Sequence, residues 1–186
     1  TIETDSYVKL LRNINQAETS KIYIKNKGDL MILHKNANVG SAKVQVEASF
    51  PNHQRLDYEF LSSPISGIPI KNLSPGTLDN RFYTYDEGSS SYVSLNPYTT
   101  LTSAGTGYMI RVPSTFPTGL NNFNIDLENN NIQSVNYGII NKVITNQGSG
   151  FNMIRNPYFS KLDLTLFYKS NNKVLEKSIN FWKKRK

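Results

Sequence analysis

The sequence contains no cysteine and only two histidines, His34 and His53. Without cysteine the chain forms no disulfide, no thiolate metal site and no cysteine nucleophile, and two histidines are too few for a histidine-rich metal centre. Neither histidine lies near the Gly-x-Ser-x-Gly elbow that a nucleophilic triad would need. No apolar run approaches the roughly 20 residues of a membrane-spanning helix. We therefore predict no metal, no cofactor and no membrane-spanning segment.

A strongly basic stretch is missing outside the last four residues. The 21 lysines and arginines exceed the 14 aspartates and glutamates, which gives a net charge of +7, and residues 183–186 carry four of the positive charges. The other basic residues stand singly among acidic ones, so the sequence lacks the basic stripe that is typical of nucleic-acid binding. We predict no nucleic-acid partner and interpret residues 183–186 as a basic tail.

Apolar and polar residues alternate along most of the chain, which is typical of half-buried strands. Residues 43–50 place all their apolar side chains on one face. Residues 55–60 repeat the pattern, which predicts that Tyr58 and Phe60 face the core. The carboxylate of Glu59 then lies on the solvent side. Further strand candidates are residues 21–25, 30–33, 81–85, 92–95, 108–112, 123–127, 137–145, 151–154 and 174–182.

Many short strands separated by Gly, Pro, Asn and Ser predict an all-β fold, an antiparallel β-sandwich of the jelly-roll kind. Asp86 and Glu87, which precede a glycine, are interpreted as turn residues. Only residues 6–15 and 162–170 have helical spacing. We predict a lead-in or linker over residues 1–20 and a single domain over residues 21–182. Because the first residue is a threonine, we expect a mature chain or a fragment.

The first fifty residues allow a second interpretation. Three apolar stretches, residues 22–24, 30–33 and 44–46, recur at roughly ten-residue steps, as the rungs of a β-solenoid would. One or two rungs bury little continuous core. We therefore favour the first strands of the sandwich, and solenoid-like rungs ahead of the sandwich remain the alternative.

Paired carboxylates are the strongest sign of catalysis in the sequence. Asp57 and Glu59 lie two residues apart on one predicted strand, roughly 7 Å from each other, a spacing that suits a glycoside hydrolase. Asp126 and Glu128 have the same spacing. Any strand with an acidic outer face shows it, so we favour solvated faces, predict that the chain is not an enzyme, and keep glycoside hydrolysis as an alternative.

Tyrosines are the residues best suited to bind a partner. A tyrosine combines a large apolar ring with a polar tip, and it stacks on sugar rings or anchors an interface at little entropic cost. For any single tyrosine, packing in the core is the favoured interpretation. The candidates for binding a glycan or another surface protein are Tyr83, Tyr85, Tyr92 and Tyr108.

Several ordered motifs are more specific than composition. RLDYEFLSSPISG at residues 55–67 is followed by NRFYTY at residues 80–85, GTGYMIR at residues 105–111 and NPY at residues 156–158. In this order they resemble a module of large secreted cell-surface proteins of Bacteroidetes, especially flavobacteria. The resemblance implies export by the type IX secretion system and an extracellular or cell-surface location.

The motif residues also have a structural interpretation. Serine, asparagine and proline side chains form turns and cap backbone groups, and Asp57 with Arg81 suits a charge-assisted pair between strands. Three positions depart from the resembled pattern, since Leu61 replaces a tryptophan, Arg155 a glycine and Phe159 a proline. We predict that the shared residues hold the fold: Asp57, Ser62, Ser63, Pro64, Arg81, Asn156, Pro157 and Tyr158.

From these observations we expect a non-catalytic β-sandwich module of an exported bacterial surface protein, with an adhesive, stalk or spacer role. Its expected partners are a glycan, another surface protein and other domains of the same parent chain. The first alternative is a carbohydrate-binding module of a secreted enzyme, and the second is a glycoside hydrolase.

Overall fold

A computed structural model describes residues 1–10, 21–32, 43–129, 135–176 and 179–181 of the chain. Within these ranges the chain is built mostly of short strands with a single α-helix. Two 3-10 turns, Ile70–Leu73 and Asp79–Arg81, interrupt the strands. The strands and helix are β1 (Tyr7–Leu10), β2 (Lys21–Ile24), β3 (Asp29–Ile32), β4 (Lys43–His53), β5 (Tyr58–Leu61), β6 (Phe82–Asp86), β7 (Ser91–Ser94), β8 (Tyr108–Arg111), β9 (Asn121–Asn129) and α1 (Leu164–Asn171).

The strands form three sheets, which confirms the predicted all-β fold and is consistent with a β-sandwich. A two-stranded sheet has the order β1-β3, a three-stranded sheet the order β2-β4-β9, and a four-stranded sheet the order β5-β8-β6-β7. The four-stranded sheet is antiparallel throughout. The first two sheets differ from the prediction, because β1 pairs with β3 and β2 with β4 in parallel.

Residues 1–10, which were predicted to be a lead-in, are part of these sheets. Ile2 is 6% exposed and forms an isolated parallel bridge with Ile24. The predicted helix over residues 6–15 is wrong in its first half, since Tyr7–Leu10 is a strand, and residues 11–15 lie outside the described residues. The parallel pairing of Tyr7–Leu10 with β3 therefore outweighed the helical spacing.

Strand β4 follows its predicted pattern. Val44 is fully buried, and Val46, Ala48 and Phe50 pack against the same core. Strand β9 pairs antiparallel with β4 and adds three apolar side chains to that face. One hydrophobic cluster contains these side chains together with residues from Ile2 to Phe159, so the three sheets share a core.

The chain after Val135 is largely irregular. Residues 137–145 and 151–154 were predicted as strands, but they form none, and β-pairing within residues 135–154 is limited to isolated bridges at Val135 and Ile154. Ile139 and Val143 are 90% and 84% exposed, so their alternation reflects no buried face. The described part of residues 174–182 also lacks a strand.

The predicted helix over residues 162–170 is confirmed as α1. Asp163 precedes it, and its carboxylate accepts a hydrogen bond from the backbone amide of Leu166 at 3.0 Å, which satisfies one of the free amides of the first turn. Among the described residues, no helix has the length and apolar character needed to cross a membrane.

Candidate functional site

Strand β5 has the opposite orientation to the one predicted. The side chain of Glu59 is 14% exposed and Leu61 is 2% exposed, so these two residues face the core. The strand register pairs Glu59 with the fully buried Ile110 of β8. Because side chains alternate along a strand, Tyr58 and Phe60 lie on the other face of the sheet.

That other face carries most of the sheet's aromatic side chains. The register places Phe60 beside Met109, and Met109 beside Tyr83, on three neighbouring strands. It likewise pairs Tyr85 with Tyr92. We call this surface the aromatic face and define it by Tyr58, Phe60, Tyr83, Tyr85 and Tyr92.

The rings of the aromatic face contact one another across the strands. Tyr58 and Tyr83 meet edge to face with ring centroids 6.0 Å apart. Tyr92 contacts Tyr85 at 5.4 Å and Phe60 at 6.2 Å, also edge to face. Such geometries are the favoured ones for aromatic pairs. The contacts hold the rings in fixed orientations, and Tyr92 remains 46% exposed to solvent.

The electrostatics of the aromatic face favour a neutral or anionic partner. Among the described strand residues on this face, Arg111 carries the single formal charge, and it lies opposite Tyr58 in the register. Burial raises the pKa of the Tyr58 hydroxyl, an effect that Arg81 and Arg111 partly offset. Burial likewise raises the pKa of Tyr92. A tyrosine at its ordinary pKa of 10.0 is already protonated at neutral pH, so both hydroxyls can donate hydrogen bonds.

Tyr108, the fourth candidate for binding, does not belong to this face. It is 2% exposed and lies on the core side of β8. Its hydroxyl accepts a hydrogen bond from the amide of Ser103 at 3.0 Å, and burial raises its pKa. The prediction that Tyr108 binds a partner is wrong, because the ring fills the core, whereas Tyr83, Tyr85 and Tyr92 do lie on one surface.

A buried carboxylate fixes the irregular segment beside the aromatic face. Glu87, 5% exposed, accepts backbone hydrogen bonds from Gln147 at 2.9 Å, Gly148 at 2.7 Å and Gly150 at 2.8 Å. These amides favour the ionised carboxylate and lower the pKa of Glu87 to about 2. The sequence identified Glu87 only as a turn residue, and its neighbour Asp86 does cap that turn by accepting from the amide of Ser89.

The segment held by Glu87 borders the aromatic face directly. The hydroxyls of Ser149 and Tyr85 are 2.7 Å apart. Met153 occupies the space where a side chain at position 107 would be, since a Cβ on Gly107 would come within 2.8 Å of the Met153 Cγ. The glycine thus lets residues 149–153 approach the sheet at the edge of the aromatic face.

The motif serines and the Asn-Pro-Tyr sequence meet in space. The hydroxyl of Ser62 donates to the carbonyl oxygen of Asn156 at 2.8 Å. The side-chain amide of Asn136 donates to the carbonyl oxygens of Ser63 and Pro157, each at 3.1 Å. These contacts agree with a role in holding the fold. Asn136 was missed by the sequence analysis, because no pattern marks an amide whose partners are backbone carbonyls.

Pro64 and Tyr158 extend the same network. The carbonyl oxygen of Pro64 accepts from the backbone amide of Asn136 at 2.8 Å. The hydroxyl of Tyr158 donates to the carbonyl oxygen of Gly138 at 2.7 Å. These contacts join the motifs to one another and connect the irregular region to the segment that follows β5.

Asp57 and Arg81 each make a local contact with the backbone. The carboxylate of Asp57 accepts from the backbone amide of Gln54, which caps the turn between β4 and β5. The guanidinium of Arg81 donates to the carbonyl oxygen of Asn80 at 3.0 Å. The charge-assisted pair between Asp57 and Arg81 stays a prediction.

Glu59 takes part in a largely buried ionic cluster. Its carboxylate lies 3.1 Å from Nε2 of His53 and 3.4 Å from the guanidinium of Arg155. Nδ1 of His53 is 3.1 Å from the carbonyl oxygen of Phe50, and Arg155 also lies over the Phe50 ring. Burial lowers the pKa of Arg155, and Glu59 offsets part of that shift. Glu59 thus faces this cluster, whereas the carboxylate of Asp57 caps the turn before β5.

A second group of carboxylates lies in a cleft on β4 and β9. Glu47 is opposite Asp126 in the register and accepts a hydrogen bond from the Tyr23 hydroxyl, which raises the pKa of Tyr23 to about 12. Asp126 accepts from the side-chain amide of Gln45 at 2.7 Å. The side chain of Glu128 lies outside the described part of the chain. Within that part, no three His, Asp or Glu side chains are grouped to hold a metal ion.

Fold and site together define an all-β protein, consistent with a β-sandwich, that presents an aromatic face on one sheet. The chain belongs to the family described as Domain of unknown function (DUF8693), whose model matches residues 1–186. No curated protein and no solved structure matches the chain.

Proposed function

We propose that the chain is a non-catalytic adhesive module of an exported bacterial surface protein and that its aromatic face binds carbohydrate. One observation carries the proposal, namely the five aromatic side chains that share one face of the four-stranded sheet. Aromatic rings stack on the apolar faces of sugars, while tyrosine hydroxyls hydrogen-bond to sugar hydroxyls.

The dimensions of the aromatic face suit an extended ligand. It runs from β5 to β7 across three strand spacings, or about 14 Å. The ring contacts reduce the ordering that binding requires, because Tyr85 and Tyr92 already brace each other. A surface of aromatic rings with Arg81 and Arg111 near Tyr58 favours a neutral or acidic polysaccharide over a basic one.

Export and adhesion enter the proposal through the ordered motifs at residues 55–67, 80–85, 105–111 and 156–158. Their resemblance to secreted flavobacterial surface proteins supports an extracellular location. The contacts of Ser62 and Asn136 support a structural role for these two residues. We therefore assign carbohydrate binding to the aromatic face and not to this hydrogen-bond network.

Binding to polysaccharides tests the proposal. The purified chain is incubated with a glycan array and with insoluble cellulose, chitin and xylan. Retention on at least one of them is expected, and Tyr92→Ala should weaken it by about tenfold, the loss expected for a central aromatic contact. Tyr85→Ala should act in the same direction.

Tyr98→Ala is the matched control. Tyr98 is 58% exposed but lies outside the aromatic face, where its hydroxyl contacts Asp79. This variant should bind like the unmodified chain. Absence of retention on every glycan, or equal loss for Tyr92→Ala and Tyr98→Ala, would contradict carbohydrate binding by this face.

A further inference from the structure

The first strands repeat with a constant register of 22 residues. Ile2 bridges Ile24, Tyr7 is opposite Asp29, and Lys21 is opposite Lys43, each pair in parallel and each 22 positions apart. We call the described parts of residues 1–22 coil 1 and those of residues 23–44 coil 2. A constant offset between parallel strands is the property that defines a β-solenoid, so the alternative interpretation of the first fifty residues describes this region better than sandwich strands do.

The turn within each coil repeats as well. Its residue at positive φ is Asp5 (58°) in coil 1 and Lys27 (64°) in coil 2, again 22 positions apart. The same spacing relates the backbone hydrogen bonds that close the turns, from the Ser6 amide to the Glu3 carbonyl and from the Gly28 amide to the Lys25 carbonyl.

Backbone hydrogen bonds and apolar side chains join the two coils. The amide of Ile2 donates to Tyr23 at 2.7 Å, and the amide of Asp29 donates to Ser6 at 2.9 Å. Ile2 and Ile24 are 6% and 1% exposed and belong to the core. Each coil thus covers the apolar residues of its neighbour, as stacked solenoid repeats do.

The two ends of this stack differ. At the end after coil 2 the stack does not continue, because β4 runs as one long strand from Lys43 to His53 and β9 pairs with it antiparallel. At the other end, within the part of the chain that the structure describes, β1 pairs with β3 alone. Tyr7 and Val8 are 78% and 38% exposed there.

We propose that the outer edge of coil 1, formed by Ile2 and Tyr7–Leu10, is a stacking surface for a further parallel β coil with the same 22-residue repeat. The surface continues the interface between coils 1 and 2, so its backbone groups and apolar column already have the spacing that such a coil needs. A second copy of this chain does not fit in the same way, since β9 closes the opposite end of the stack. An edge strand of this kind is also a known route to aggregation unless it is covered.

A tandem extension tests this proposal independently of carbohydrate binding. A copy of residues 1–22 is fused directly before Thr1, and hydrogen exchange is followed at the β1 amides that point away from β3. Stacking of the added coil should slow their exchange by about tenfold or more relative to the unextended chain.

The control extension has the same length but carries proline in place of the residues copied from Ile2 and Val8. Proline removes the amide donors and disrupts the ladder, so β1 should exchange as in the unextended chain. Equal protection by both extensions, or by neither, would overturn the proposal. So would protection of β1 in the unextended chain that rises with protein concentration, because a second copy would then cover the edge.

Discussion

Replacing Gly148 with alanine should break the hydrogen bonds that residues 147–150 donate to the carboxylate of Glu87. A Cβ at position 148 would lie 2.2 Å from the carbonyl oxygen of Glu87 and 2.8 Å from that of Gly88. Both are backbone atoms of a tight turn and cannot rotate away. Gly148 is not among the residues at positive φ, so the expected cost comes from steric overlap and not from backbone conformation.

The size of the effect follows from this overlap. Extra methyl groups in well-packed sites typically cost about 1–3 kcal/mol, and the distances at Gly148 place this variant at the upper end of that range. The matched control is Gly88→Ala, whose Cβ would meet nothing closer than 4.0 Å. A surface change of this kind is expected to stay within about 0.5 kcal/mol.

Two measurements on these variants report the result. Urea unfolding gives the loss of stability, and NMR titration of the Glu87 carboxyl carbon shows whether the segment has detached. Detachment removes three backbone donors, so the pKa of Glu87 should rise from about 2 toward its ordinary value of 4.5. A Gly148→Ala protein as stable as Gly88→Ala, with the pKa of Glu87 unchanged, would refute the proposed packing.

Three further predictions concern the stability of the fold. The ionised Glu87 stabilises the fold above about pH 4.5, and this contribution should be lost as the pH falls toward about 2; Glu87→Gln should remove that part of the pH dependence in urea unfolding. Asn136→Ala leaves the Ser63 and Pro157 carbonyls without their donor and should cost about 1–3 kcal/mol in the same assay. Ile24→Ala, a core truncation, should cost about 2–5 kcal/mol in thermal unfolding, whereas the exposed Met31→Ala should change little.

Alternation predicted the orientation of a strand only where one face was plainly apolar. Residues 43–50 met that condition, and Val44 is fully buried as expected. In β5 the same rule placed Glu59 in solvent, whereas its carboxylate lies inside, where it pairs with Arg155 and is 3.1 Å from Nε2 of His53. Arg155 lies 96 residues further along the chain, so a local pattern holds no information about it.

The sequence contains the solenoid repeat, but its period of 22 residues differs from the roughly ten-residue spacing of the apolar stretches. Ile2 matches Ile24 and Lys21 matches Lys43 at a distance of 22 residues. Each coil contains more than one apolar stretch. The distance from one apolar stretch to the next is therefore about half of the 22-residue repeat. Comparison of whole coils, including the turns at Asp5 and Lys27, would have revealed the repeat.

The irregular region could not be predicted for a different reason. Its order depends on side chains that bind backbone groups, as Glu87 binds the amides of Gln147 and Gly148, and every residue offers the same amide. The apolar residues Ile139 and Val143 suggested a strand although both are exposed. The aromatic face was predicted in part, since Tyr83, Tyr85 and Tyr92 were identified, whereas Tyr58 and Phe60 were assigned to the core.

Protection of individual tyrosines from nitration tests the central claim most directly. The chain is nitrated alone and in the presence of a saturating concentration of a polysaccharide that it binds. The modified residues are then identified by mass spectrometry. Tyr92 and Tyr98 are 46% and 58% exposed, so both should react in the free chain. Carbohydrate binding by the aromatic face predicts that the ligand protects Tyr92 and leaves Tyr98 reactive. Equal reactivity of Tyr92 with and without bound polysaccharide would contradict it.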